Sequence, residues 1–582
     1  MSASETHQAR NSLFFLLLLV ALWLPRGLAL DRFVTVDEPK WLLRSANFYN
    51  ALVHGDFKDT FQKEHPGVTI TWAGTAGFLW RYPGYFKIAP EQNMTPTRFN
   101  TFLRSHGRSS LDLLVAGRTF VVLGIVAALG VSFLLAARLL GALPALLAFL
   151  LIAFDPFCVA LSRLLHLDGL LSALMLLSLL AFAGYLYLGR RMGYLLLSAI
   201  AAGLAWLTKS PAFFLAPFFG LLLLIEWWRA GGEAPLRDLF QFQRLWRAFS
   251  PLLLWFFVAA VVFVLLWPAM WVDPVGTLSS VFSQATAYAS EGHGIPTYFY
   301  GEVSLGGESP WFFYPVVYLW RITPSIFIGL LLALGALLFP RQLPVDSARR
   351  RLMLVLLLFS ALFTVFMSLG AKKFDRYLLP IAAPMDLLAA LGWLAFVERL
   401  AGLTNRWSDS ARRLEMGGIL GAVLLAHLLG VLQTYPYYLN FYNPMLGGIQ
   451  KAAQVMMVGW GEGLDQAARY LNALPRSDKD RVITWYGDGC FSFFYDGVTV
   501  PIGLDFTLND LRKTDFVVLY LNQWQRGLPS PEFMAYFGGL TPEYVVNIGG
   551  LEYARIYKLR DAPDVPIPTP AMGLLFENRP NP

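Results

Sequence analysis

Eleven long apolar runs, near residues 12–30, 113–137, 142–161, 167–189, 193–208, 211–228, 251–268, 322–340, 352–369, 377–397 and 416–433, constrain this chain more than anything else in it. Most are long enough for a bilayer, although several sit near the short end of the ~17–25 residues a helix needs to cross one. Only 15% of the residues are charged, against roughly 25% in a soluble domain. Inside lipid every backbone polar group must be paired within the segment, which leaves helices or closed barrels. Barrel strands read as alternating stretches of about ten residues, whereas these runs are continuous. The fold class is therefore a polytopic α-helical membrane protein of about eleven spans. No internal repeat stands out.

The loops set an orientation. Arg138, then Arg190 and Arg191, then Arg229, Arg237, Arg244 and Arg247, then Arg341 and Arg349 to Arg351, then Arg399, Arg406, Arg412 and Arg413 all fall on one side if the spans alternate. Basic loops stay in the cytoplasm, so the long loops 31–112 and 269–321, and everything after 434, are expected outside. The first run also resembles a signal peptide, with Arg10 before it. An uncleaved first span is preferred because the remaining topology needs it. The expected location is the cytoplasmic membrane, and the net charge of +7 follows from topology rather than from a nucleic-acid partner. Cys158 and Cys490 are too few and too far apart for a disulfide framework or a cysteine metal site.

Two domains are expected. Residues 1–433 form the transmembrane part. Residues 434–582 form an external α/β domain with an amphipathic helix from Gly463 to Leu474, strands at RVITWY, FVVLYL, EYVVNI and LEYARIYKL, and a Pro-rich end. In the first long loop, Leu42, Ala46, Tyr49 and Val53 share one helical face beside polar neighbours, which predicts a helix lying on the membrane surface. Trp311 to Trp320 reads as an interfacial aromatic belt.

The chemistry gathers at one face. Val36-Asp37-Glu38-Pro39-Lys40 places two carboxylates where the first span should emerge into water. A bland alternative has Asp37 capping a helix that starts at Pro39. In FDPFCVALSRLLHLDGLL, Arg163, His166 and Asp168 lie at the mouth of two spans. Asp168 could cap the next span and Arg163 could snorkel, yet ionisable groups there are costly and usually paired or functional. Lys209 in GLAWLTKSP, and Lys372, Lys373 and Arg376 in AKKFDRYLLP, are external cations placed against the positive-inside tendency, with Asp375 as a pairing partner for one of the cluster. Glu64 and His65 complete the set from the first loop. Cations beside acids at a lipid–water boundary suit a reaction on a phosphate-bearing lipid. Lys and Arg would hold the phosphate as charge develops on it, and a carboxylate would take a proton from an attacking hydroxyl. The competing reading is a transporter or flippase that uses the same cations to bind a lipid-linked or anionic substrate.

Taken in order, Asp37-Glu38, SRLLHLD, GLAWLTKSP and KKFDRYLLP make the chain resemble the GT-C superfamily of polyprenyl-phosphate-sugar glycosyltransferases. It is most similar to the branch of the protein O-mannosyltransferases and the lipid A aminoarabinose transferase, over roughly residues 12–400. The resemblance implies inverting transfer of a sugar from a polyprenyl-phosphate donor to an external acceptor, with Asp37 as base and Glu38 supporting it or the acceptor. It implies Arg163, Lys209, Lys372, Lys373 and Arg376 as candidates for the lipid phosphate; His166, from its place at the span mouth, is a further cavity candidate. Some relatives bind a divalent metal near the first-loop acid, which makes Glu64, His65 and Asp168 the candidate ligands here. From Tyr435 onward the chain departs from the mannosyltransferases, and its YYLNFYNPMLGG and GWGEGLDQAARYLN stretches are similar to bacterial members. The sugar and the acceptor, whether protein, lipid or glycan, stay open.

Overall fold

The computed structural model describes residues 3–90, 94–231, 242–291, 294–304, 309–403, 408–475, 477–502, 511 and 514–559. Arg237, Arg406 and the Pro-rich end lie outside the described residues.

Each of the eleven apolar runs falls on helix. Among the described residues, seven helices are long and apolar enough to cross a membrane by length and composition, and nine if two bent pairs each count as one span. The first bent pair joins α6 (Ala142–Phe154) to α7 (Pro156–Ser162) at 63°. The second joins Phe313–Arg321 to Pro324–Leu338 at 119°. Both breaks precede a proline, which disfavours helical backbone at the residue before it and lacks the amide that would continue the ladder. Ser12–Gly27, in α1 (Ala3–Gly27), and α9 (Met192–Thr208) are the shorter apolar helices that complete the predicted eleven.

The helix predicted in the first loop exists as α2 (Glu38–His54), but it does not lie free on the membrane surface. Leu42, Ala46 and Tyr49 are buried and only Val53 of the predicted face is exposed. The apolar face packs on α3 (Val68–Arg81), which in turn packs on the long span α5 (Ser110–Leu140). The predicted aromatic belt lies on the Phe313–Arg321 helix and the residues just before it. Further scaffold for the site comes from α4 (Pro96–Ser105), α8 (Leu167–Tyr187) and the span Leu379–Leu403.

The carboxyl-terminal part is the expected α/β unit. After a β1–β2 ribbon in the second long loop (Thr297–Phe299, Glu302–Ser304), a five-stranded sheet runs in the order β4-β3-β5-β7-β6. Its strands are β3 (Arg481–Thr484), β4 (Val498–Pro501), β5 (Phe516–Tyr520), β6 (Tyr544–Ile548) and β7 (Leu551–Lys558). β3 is parallel to β4 and β5, while β7 is antiparallel to β5 and β6. The four predicted strands are all present; β4, only four residues long, was not expected. The predicted helix spans Leu464–Asn472. This unit is not an appended tail, because one apolar core contains Leu42, Leu114 and Leu165 together with Leu464, Cys490 and Tyr520.

Candidate active site

The two adjacent carboxylates go opposite ways. Glu38 is fully buried and accepts from Arg118 Nε (2.7 Å), the Thr35 amide and hydroxyl (both 2.9 Å) and the Leu165 amide (2.8 Å). Arg118 Nη2 also pairs with Glu38 and donates to the Phe33 carbonyl, and Nη1 donates to that of Leu30. This closed network ties residues 30–38 to α5 and to the α7–α8 turn. Glu38 lines neither of the cavities described below. Arg118 was not anticipated, although a lone arginine inside a long apolar run was the available signal.

Asp37 is left facing outward. It occupies the N-cap position of α2, but its side chain makes no capping hydrogen bond. Its carboxylate instead lies 3.5 Å from His166 Nε2 and 3.6 Å from an Arg376 Nη. Burial works against its charge. The imidazole of His166 and the guanidinium of Arg376 outweigh that and hold its pKa below the usual carboxylate range.

Asp168 mirrors this arrangement from the first turn of α8. Its Oδ1 accepts from Lys209 Nζ at 2.7 Å, and its Oδ2 lies 3.4 Å from His166 Nδ1 and 3.6 Å from Arg376 Nε. Asp37, His166, Asp168, Arg376 and Lys209 thus form one chain of alternating charge. Lys209 stands at the break after α9, with its ammonium 4.0 Å from the Tyr377 ring centroid. Arg376 stacks on Trp460 at 4.4 Å.

Members of this chain line two cavities. One, of about 220 Å³, is lined by Asp37, Lys40, Arg321, Arg376, Trp460 and Glu462 among others. The second, of about 360 Å³, is mostly apolar, with Phe213, Phe282, Tyr288 and Phe366 in its wall and Lys209, Lys372 and His65 among its polar groups. Arg376 lines the first and its neighbour Tyr377 the second.

The remaining candidates lie elsewhere. Arg163 is buried, donates to the carbonyls of Leu28 and Ala29 and stacks on Tyr438, so it fastens the exit of the first helix instead of facing a cavity. The turn between α7 and α8 aims Arg163 and Asp168 apart. Lys373 donates to the Ser309 carbonyl at 2.9 Å and lines a separate small cavity. Asp375 pairs with Arg321 at 2.6 Å and not with a cation of its own cluster. The metal expectation does not fit these residues. Glu64 pairs with Lys63, His65 stacks on Tyr288 with centroids 4.5 Å apart, and Asp168 is taken up by Lys209 and His166. Among the described residues no group of three His, Cys, Asp or Glu side chains is placed to hold a metal ion.

Sequence reasoning also missed Trp460 and Glu462. They sit on a turn whose flanking glycines, Gly459, Gly461 and Gly463, have φ of 93°, 124° and 85°. A Cβ on Gly461 would collide with the Val34 carbonyl oxygen, so only glycine lets this turn close on the first loop. The Val36 amide donates to the Trp460 carbonyl at 3.3 Å across that contact.

Residues 112–255, which hold Arg118, His166, Asp168 and Lys209, match the model of the family described as dolichyl-phosphate-mannose-protein mannosyltransferase. The chain is a membrane glycosyltransferase. The match bears out, over that stretch, the resemblance drawn from the motifs. No curated protein matches the chain. Among solved structures, this glycosyltransferase is similar to ArnT from Cupriavidus metallidurans bound to undecaprenyl phosphate, with 14% identity, a TM-score of 0.47 and coverage of 94% of this chain and 98% of that one. It is also similar to the Archaeoglobus fulgidus oligosaccharyltransferase in its apo form, with 14% identity, a TM-score of 0.45 and coverage of 90% and 70%.

Proposed function

We propose that the enzyme transfers a sugar from a polyprenyl phosphate to an acceptor hydroxyl with inversion, at the external face of the cytoplasmic membrane. The observation that carries this reading is a polar cavity bearing Asp37 and Arg376 and an apolar one bearing Lys209 and Lys372, with Arg376 and Lys209 joined through Asp168. The lipid occupies the apolar cavity and places its phosphate among Lys209, Lys372 and Arg376. The acceptor hydroxyl attacks the anomeric carbon from the polar side and gives its proton to Asp37. The bond from that carbon to the phosphate oxygen breaks, and the electron pair leaves with the lipid phosphate. Cations placed where this charge develops stabilise the transition state more than the ground state. No general acid is needed, because phosphate is already a good leaving group. Donor binding also prepares the base. A phosphate on Arg376 draws that cation's field away from Asp37 and raises the basicity of its carboxylate. The basic loops on the opposite side support the orientation.

Arg376→Ala should raise the donor KM about 10-fold or more, the scale of one lost charge-assisted contact. Lys373→Ala should have the smaller effect, because its ammonium is engaged by the carbonyls of Ser309 and Pro310. Equal losses would move Lys373 into the phosphate site. The two variants are compared by initial rates over a range of donor concentrations.

A pH dependence follows from Lys372. Burial, with Arg376 and Lys209 adding to it, brings its ammonium down to about 8. Below that pH the lysine is charged and attracts phosphate. Above it the lysine must take up a proton to bind, so donor affinity should fall as pH rises through 8. Arginine stays charged, and Lys372→Arg should flatten this limb in donor-binding titrations between pH 6.5 and 9.5. An unchanged limb in that variant would assign it to another group.

A further inference from the structure

We infer that the carboxyl-terminal α/β unit is the acceptor-binding half of this site, and that it takes a neutral sugar ring and presents one of its hydroxyls to Asp37. The inference rests on the transfer reading above and names the acceptor class which that reading leaves open.

The polar cavity has two walls. The bundle supplies Asp37, Lys40, Arg321 and Arg376, and the α/β unit supplies Trp460, Glu462, Trp485, Tyr486 and Arg526. Trp485 and Tyr486 directly follow the last residue of β3, and Arg526 follows β5 by six residues. The cavity therefore opens at the carboxyl ends of two parallel strands, where open α/β sheets bind their ligands. The side chains there are held in place. Asn522 donates to Tyr486 Oη at 2.7 Å and to the Gly459 carbonyl at 3.0 Å, and it receives Arg526 Nη2 at 3.0 Å. Glu462 accepts from the Trp460 amide at 2.6 Å and from Tyr520 Oη at 3.2 Å.

The chemistry of this wall suits a sugar. A pyranose offers an apolar C–H face to an aromatic ring and a rim of hydroxyls to carboxylates and guanidinium groups. Trp485 and Tyr486 are half-buried and line the cavity. Arg376 is assigned to the donor phosphate, and the other two arginines of the cavity are committed, Arg321 to Asp375 and Arg526 to Asn522 and the Pro296 carbonyl. That favours a neutral acceptor over an anionic one. A volume of about 220 Å³ lies below the ~300–1,000 Å³ typical of drug-sized ligands, which fits one ring better than an extended peptide. A peptide would gain from an unpaired strand edge, but this cavity sits at strand ends.

The test uses the full-length protein in nanodiscs. Asp37→Asn protein, which should bind without turning over, is titrated with methyl hexopyranosides and short oligosaccharides, and separately with a Ser/Thr peptide. Saturation-transfer NMR provides the readout. Saccharide signals are expected, with none from the peptide. Trp485→Ala should weaken saccharide binding about tenfold, the order of one aromatic contact, and Trp485→Phe should restore most of it. With the otherwise wild-type enzyme, the acceptor KM should rise in Trp485→Ala far more than kcat falls. Binding of the peptide instead, or saccharide binding indifferent to Trp485, overturns the inference. Release of polyprenyl phosphate from labelled donor in the presence of membrane extract is scored in parallel. If release occurs and no saccharide binds, the acceptor assignment alone fails. If no release occurs, the transfer reading fails and takes the acceptor assignment with it.

Discussion

Asp37→Asn should lower transfer by about 10²–10⁴-fold, the range a positioned general base contributes, and leave the fold intact. Both halves of this result follow from its surroundings. The side chain is about one-third exposed and makes no capping hydrogen bond. The amide is nearly isosteric, so the thermal unfolding transition should stay close to that of the wild type. What is lost is the only carboxylate in this chain of charges that also lines the polar cavity, since Asp168 is sequestered behind Lys209 and His166. Steady-state rates with saturating donor, measured beside a thermal melt, check both halves. Turnover near the wild-type rate would remove Asp37 as the base.

Glu38→Gln should do the opposite and act first on stability. Arg118 and Glu38 are both fully buried, and the glutamate carries the formal charge that balances the guanidinium. Removing one partner of a buried ion pair typically costs about 3–5 kcal/mol. Some of the hydrogen bonds survive in the amide, but one donor must then face an NH₂ group. The residues that lose their anchor are 30–38 and 165, which carry Asp37 and lead into His166. Activity should therefore fall together with thermal stability in Glu38→Gln, and cooling should recover part of it. A Glu38→Gln protein that melts like the wild type but is inactive would place Glu38 in the chemistry and not in the scaffold.

The contrast between these neighbours shows where sequence reasoning stops. The acidic pair was legible because it follows an apolar run and precedes Pro39, and charge there is costly unless it is used. Which carboxylate faces the cavity was not legible, because that depends on Arg118, eighty positions away on α5. Lys209 and Arg376 stood out as cations on the wrong side of the positive-inside pattern, and both line the cavities. Lys373 carried the same signal and Arg163 stood out as an ionisable group at a span mouth, yet each is engaged by backbone carbonyls, contacts that leave no trace in residue spacing. The spans were readable from hydropathy, while the sharp bends at Pro156 and Pro324 changed how many stand alone as crossings. The α/β unit was readable as strands and a helix. Its approach to Asp37 was not, because it depends on three left-handed glycines around Trp460 and Glu462.

The most direct measurement is turnover of a radiolabelled polyprenyl-phosphate hexose by the purified full-length enzyme in nanodiscs, with membrane extract as acceptor and the anomeric configuration of the product determined. The account predicts release of polyprenyl phosphate, label in an acceptor and inversion at the anomeric carbon. Donor that binds and is recovered intact, or product with retained configuration, would contradict it.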